Sequence, residues 1–62
     1  MDLLSVYDLE VGLTVADELG NIGTIVKIDD IHNILVNFIT GLVNVCADET
    51  CEDYEPLFDP YS

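Results

Sequence analysis

Three groups of side chains in this 62-residue sequence could do chemistry: two cysteines, a lone histidine, and a run of carboxylates toward the C-terminal end. Cys46 and Cys51 are separated by Ala47, Asp48, Glu49 and Thr50, and His32 lies in a polar stretch beside Asp29 and Asp30. Two thiolates and an imidazole could hold Zn²⁺, but a structural zinc site takes four ligands, so Cys46, Cys51 and His32 fall short of one. A carboxylate or a second chain would have to complete the shell. The simpler expectation is a pair of reduced thiols, one in the core and one in a loop, since a disulfide across the turn requires exposure to an oxidant. As a general base His32 would need an orienting carboxylate and a cleft, and a turn histidine capping backbone groups is the plainer reading. There is no arginine, no glycine-rich phosphate cradle before a helix, and no serine or cysteine with a triad partner. No catalytic residue is therefore assigned, and no cofactor is expected.

The carboxylates carry more. Asp48, Thr50, Glu52 and Asp59 fall near the spacing of an EF-hand loop, but Asp53 stands where that loop needs glycine and the last ligand is Asp rather than Glu. A true EF-hand is rejected. What remains is a run in which acids alternate with aromatics: Asp48, Glu49, Glu52, Asp53, Tyr54, Glu55, Phe58 and Asp59, with Tyr61 beyond. Such a run can imitate a phosphate track and dock on a basic, DNA-binding protein, with Tyr and Phe as anchors. The competing reading is a solvated acidic tail.

Composition bounds the partners. Thirteen acids oppose one lysine, a formal net charge of -12, so direct contact with nucleic-acid phosphates is not expected: only Lys27 could neutralise one. Half of the residues are hydrophobic, which excludes a disordered acidic tail and requires a folded core. The length leaves room for one domain, and a chain this short is marginal unless something supplements its core. No apolar run approaches the roughly 20 residues of a membrane span, and the opening MDLLSVYDLE is acidic where a secretory signal is basic. The expectation is a cytoplasmic protein that binds another protein, with no membrane partner.

The elements that position these residues read as strands. Residues 1–10 are expected to form an irregular arm or a single turn, with Leu3, Leu4 and Tyr7 on one face. Leu13 and Val15 alternate with Thr14 and Ala16, the pattern of a half-buried strand. Residues 18–23 hold two glycines and an asparagine and predict a tight turn. The densest β-branched stretch, residues 24–29, alternates Thr24, Val26 and Ile28 against Ile25, Lys27 and Asp29. A turn over residues 29–33 leads to a returning strand with Ile34, Val36 and Phe38 inward. Thr40 and Gly41 then close a second hairpin into residues 42–46, where either Leu42 and Cys46 or Val43 and Val45 face the core. With Leu35 and Ile39 this leaves surplus apolar surface, to be covered by the N-terminal arm or used for association. Residues 54–58 can close the sheet at an edge that tolerates Pro56, and residues 59–62 are expected to fray. The fold class is all-β: a small, partly open barrel of four to five antiparallel strands with a short arm, in a single domain over residues 1–62.

The glycine turn and strand over residues 15–28 resemble SH3-like barrels of the KOW or Tudor kind, in which a glycine precedes a strand of the form G-x-I-x-x-I, here Gly23, Ile25 and Ile28. The resemblance implies the barrel. It departs from nucleic-acid-binding KOW modules because Asp17 and Glu18 stand where those carry bases. The longer pattern of residues 30–38, 41–46, Cys51 and 54–57 is similar to small uncharacterised proteins encoded by bacteriophages, which implies a site of action in the host cytoplasm. The expected function is thus a non-catalytic acidic module that binds and blocks or modulates a host protein. The alternative is a structural homo-oligomer that assembles through its apolar sheet face.

Overall fold

In the computed structural model, which describes residues 1–62, the chain is all-β. Strands β1 (Asp2–Leu3), β2 (Thr14–Ala16), β3 (Ile22–Asp30), β4 (Asn33–Phe38), β5 (Gly41–Val45) and β6 (Phe58–Asp59) form one antiparallel sheet in the order β1-β6-β2-β3-β4-β5. A single 3-10 turn, Val6–Asp8, is the remaining element. The sheet curls into a partly open barrel. Past β5 its ends are joined where Cys46 bridges Tyr54 and the Glu55 N–H donates to the Cys46 carbonyl at 2.9 Å.

Curvature comes from β3. Its nine residues pair with β2 at one end and with β4 along their length, and the β4 register slips once between Ile25 and Lys27 and again between Ile28 and Asp30. Each slip is a bulge, which bends a strand and increases its twist. The first also corrects the expected strict alternation: with Val26 as the extra residue, Ile25 is fully buried and Ile28, three positions on, packs against the same core. A flat strand would have turned Ile28 outward.

Gly23 is fixed by the close approach of β4. A Cβ there would lie 2.7 Å from Phe38 Cδ1, 2.9 Å from Val36 Cγ1 and 3.1 Å from the Asn37 carbonyl. Ile34, Val36 and Phe38 all face inward as the alternation predicts, and β5 takes the valine register, with Val45 opposite Ile34 and Val43 opposite Val36. Of β5 only Val45 is buried, Val43 staying exposed; Val45, Ile34, Val36 and Phe38 join Val15, Ile25, Ala47 and Leu57 in the core, against which Leu4, Val6, Leu9, Leu13 and Ile28 are half-buried. No polar or charged residue is buried.

The arm packs differently from the helical spacing expected for it. Leu4, Val6 and Leu9 turn toward the core, whereas Leu3 and Tyr7 are exposed, because β1 pairs with β6 in extended geometry and the Leu4 N–H donates to the Leu57 carbonyl at 2.8 Å. Nor does the arm cover the outer sheet face, where Ile22, Ile39 and Leu42 stay exposed. Residues 59–62, expected to fray, instead form a turn. The Tyr61 N–H donates to Asp59 Oδ1 at 2.9 Å, and Ser62 Oγ accepts the Asp2 N–H at 2.9 Å, which ties the two ends of the chain together.

Gly23→Ala should therefore lower the unfolding free energy by about 1–3 kcal/mol through overpacking against Phe38 and Val36. Urea unfolding of the variant checks this, and a loss below about 0.5 kcal/mol would mean that β4 yields freely at this contact.

Candidate functional site

Each acidic segment is held in a turn by its own carboxylates. Between β2 and β3, Asp17 Oδ1 accepts the N–H groups of Leu19 (2.9 Å) and Asn21 (2.8 Å), while Oδ2 accepts the Asn21 side-chain amide at 2.9 Å. Gly20, at φ +86°, supplies the left-handed residue that lets the chain close around this carboxylate. Burial raises the Asp17 pKa, but the hydrogen bonds from Asn21, Leu19 and Gly20 outweigh it and hold the carboxyl below its ordinary 3.8.

Between β5 and β6 the chain makes a loop closed by a Cys46–Cys51 disulfide. The bond replaces the reduced thiols expected from composition. It forms because Cys46 sits just past β5 in the buried stretch Val45–Ala47 and the turn at Asp48 brings Cys51 back beside it: the Thr50 N–H donates to Asp48 Oδ1 at 3.0 Å and the Cys51 N–H to the Asp48 carbonyl at 3.0 Å. Asp48 Oδ2 meets His32 Nε2 at 2.7 Å, and the Ala47 N–H donates to the Ile31 carbonyl at 2.8 Å. The turn between β3 and β4 is thus stitched to the acidic loop by one side-chain contact and one backbone contact. The His32 backbone N–H donates to Asp30 Oδ1 at 2.7 Å, so the capping group here is the Asp30 carboxylate, and the imidazole, expected to cap backbone groups, contacts the Asp48 carboxylate instead. The Thr50 backbone donor, then the His32 contact, hold the Asp48 carboxyl below its ordinary value.

As metal ligands the three lesser candidates are separated by this arrangement. Cys46 and Cys51 bind each other, His32 is engaged by Asp48, and no cluster of three or more His, Cys, Asp or Glu side chains has metal-holding geometry.

The acidic and aromatic run divides into two parts. Phe58 and Asp59 belong to β6, half-buried opposite Leu3 and Asp2, and Asp59 spends Oδ1 on the Tyr61 N–H. Glu49, Glu52, Asp53 and Glu55 project from the loop into solvent, with Asp48 and Tyr54 half-buried among them. Two clefts meet at Tyr54. One, of about 230 Å³, runs between the Asp17–Glu18–Leu19 turn and Tyr54, Glu55 and Pro56. The other, of about 470 Å³, has Leu3, Leu4, Val6 and Tyr7 of the arm on one side and Ile31, Ala47 and Tyr54 on the other, with Asp48 and Glu49 at its rim. The site is an apolar groove edged by carboxylates. The sole lysine lies away from it, 3.6 Å from Asp29 across a solvent-exposed pair.

Sequence reasoning placed the acids and Tyr54 here but missed the arm, Ile31, Asp17 and Glu18. Leu4, Val6 and Leu9 carried a usable signal, an apolar set that does not fit one helical face. The pairing of the residue 17–18 turn with Glu55 is set by the order of strands, for which local sequence has no marker. No family model matches the chain, and no curated protein or solved structure does so.

Two outcomes follow from these ties. Reducing the disulfide, or making Cys51→Ser, should cost about 2 kcal/mol, the loop-entropy value for so short a crosslink; equal denaturation midpoints with and without reductant would show that the other contacts already fix the loop. Asp17 and Asp48 are more acidic folded than unfolded, so their contribution is complete above pH 3.8 and is withdrawn as the pH falls below it. A comparison with Asp17→Asn isolates the effect of that carboxylate. The variant should be less stable than the parent near neutral pH, with the gap narrowing well below pH 3.8; a constant gap would remove charge from the explanation.

Proposed function

We propose that this chain is a non-catalytic acidic protein-binding module, encoded by a bacteriophage and acting in the host cytoplasm, that blocks or modulates a basic host protein by imitating the charge of nucleic acid. The observation that carries the reading is the placement of Tyr54. It lines both clefts with Glu55 beside it and Asp48 and Glu49 at the adjoining rim. A half-buried aromatic ringed by carboxylates matches what a cationic surface needs: the charges steer and orient the encounter, and desolvation around the ring and the apolar groove slows dissociation.

The charge cannot serve phosphates directly, because thirteen acids face a single lysine. It suits the lysine- and arginine-rich surface of a protein that itself handles DNA or RNA. The phage origin rests on the resemblance of residues 30–38, 41–46 and 54–57 to phage-encoded proteins, and a host target follows from that origin. In a reducing cytoplasm the Cys46–Cys51 bond would open, leaving the His32–Asp48 contact and the Ala47 to Ile31 and Glu55 to Cys46 hydrogen bonds to hold the loop.

Capture of partners from bacterial lysate by the tagged chain, at low and high salt, tests the reading. The expected catch is a basic nucleic-acid-binding protein, released by salt or by added DNA. Reversing Glu52, Asp53 and Glu55 to lysine should then weaken that complex at least about tenfold, or about 1.4 kcal/mol. Unchanged affinity after the triple reversal would end the mimicry reading.

A further inference from the structure

The groove between the arm and the acidic loop has two fixed walls. The arm is held by the pairing of β1 with β6, by the Leu4 to Leu57 hydrogen bond, and by Leu4 and Val6 packed on the core. The loop is held by Cys46–Cys51, by His32–Asp48 and by the Ala47 to Ile31 hydrogen bond. The space between them, about 470 Å³, lies within the range of about 300–1,000 Å³ that ligand sites occupy. Leu3, Tyr7 and Ile31 line it and remain exposed, Tyr7 at 93%, so the apolar wall faces solvent.

Charge determines what must accompany an apolar occupant. Asp48 and Glu49 stand at the rim, and across Tyr54 the smaller cleft carries Asp17, Glu18 and Glu55. No ion pair within the chain reaches Glu18, Glu49 or Glu55, because Lys27 lies 3.6 Å from Asp29 and His32 lies against Asp30 and Asp48. A purely apolar occupant would take water from these carboxylates and return nothing, while an anion or a second chain at -12 is repelled.

We infer, resting on the reading above of a binder of basic proteins, that the groove receives a linear segment of the partner in which one apolar side chain is flanked on both sides by lysine or arginine. The apolar side chain enters between the arm and Tyr54. One flanking cation meets Glu49 and Asp48, and the other passes Tyr54 to Glu55 and Glu18. Because the two clefts share Tyr54, side chains two residues apart on one face of an extended segment, about 7 Å from each other, reach from one cleft into the other. A small amphiphilic amine, with a single charged head, satisfies only one end.

Calorimetric titration of the full chain with short synthetic peptides tests this. One peptide carries leucine between two pairs of lysines, a second has serine for the leucine, and a third has glutamine for the lysines. The leucine peptide should bind at least about tenfold more tightly than the serine peptide of equal charge, from burial of its side chain. It should exceed the glutamine peptide by a similar factor, about tenfold, from the carboxylates. Tyr7→Ser should reduce the leucine-to-serine ratio below about threefold, with an unchanged circular dichroism spectrum because Tyr7 makes no part of the core. Equal affinity for the leucine and serine peptides overturns the inference while leaving charge mimicry standing, since that reading is judged by the triple reversal. Failure of the leucine peptide to bind at about 1 mM also overturns it. So does phenethylamine binding as tightly as the leucine peptide, which would assign the groove to a small amphiphilic cation.

Discussion

Twelve uncompensated negative charges govern how this chain can fold. A carboxylate without a cation cannot be buried at acceptable cost, and the single lysine serves Asp29 on the surface, so every acid must lie in a turn, in the arm or on the rim of the sheet. The core is left entirely apolar, and the longer strands that enclose it carry acids only at the far end of β3, at Asp29 and Asp30. Placement of charge and placement of strands are thus two aspects of one constraint. The acids that remain near the backbone are made useful there: Asp17, Asp30, Asp48 and Asp59 each accept an N–H two residues ahead and fix the turn in which they sit.

A core of this size supplies little surplus stability on its own. Three kinds of tie extend it. The arm adds Leu4, Val6 and Leu9 from outside the barrel, the disulfide restrains the longest connection between strands, and the terminal turn joins Ser62 to Asp2. None of these adds charge to the interior.

The middle of the fold was legible because its signal is local. Ile34, Val36 and Phe38 alternate without interruption, and the β4 strand follows from that alone. β3 was legible as a strand but not in its bend: Ile25 and Ile28 each fit a straight strand on opposite faces, and only the register against Val36 and Ile34 shows that a residue has been looped out. The G-x-I-x-x-I spacing holds that bulge in plain sight, since inward residues three apart cannot both face the core of an unbroken strand. The valine register of β5 was one of two that the pattern allowed, because Leu42 and Val43 put an apolar residue on each face and Asn44 alone marks the outer one. Of the candidate surface, the carboxylates and Tyr54 were visible in composition. The groove was not, for it needs the arm, the turn at Ile31 and the loop at Ala47 to converge, and those are separated in sequence by up to forty-odd residues that only the strand order brings together.

The loop that carries the exposed acids is over-determined. It is restrained covalently at Cys46–Cys51, by a side-chain contact at His32–Asp48, and through the backbone at Ala47–Ile31 and Glu55–Cys46. A solubilising tail needs none of this, since carboxylates repel aggregation equally well from a disordered segment. Fixing Glu49, Glu52, Asp53 and Glu55 in place brings them close to one another at an electrostatic cost, and what it gains is a surface whose geometry exists before any partner arrives. Pre-organisation of that kind lowers the ordering entropy lost on association. The loop's several restraints, covalent and non-covalent, are what support the proposal that the charge serves recognition rather than solvation alone.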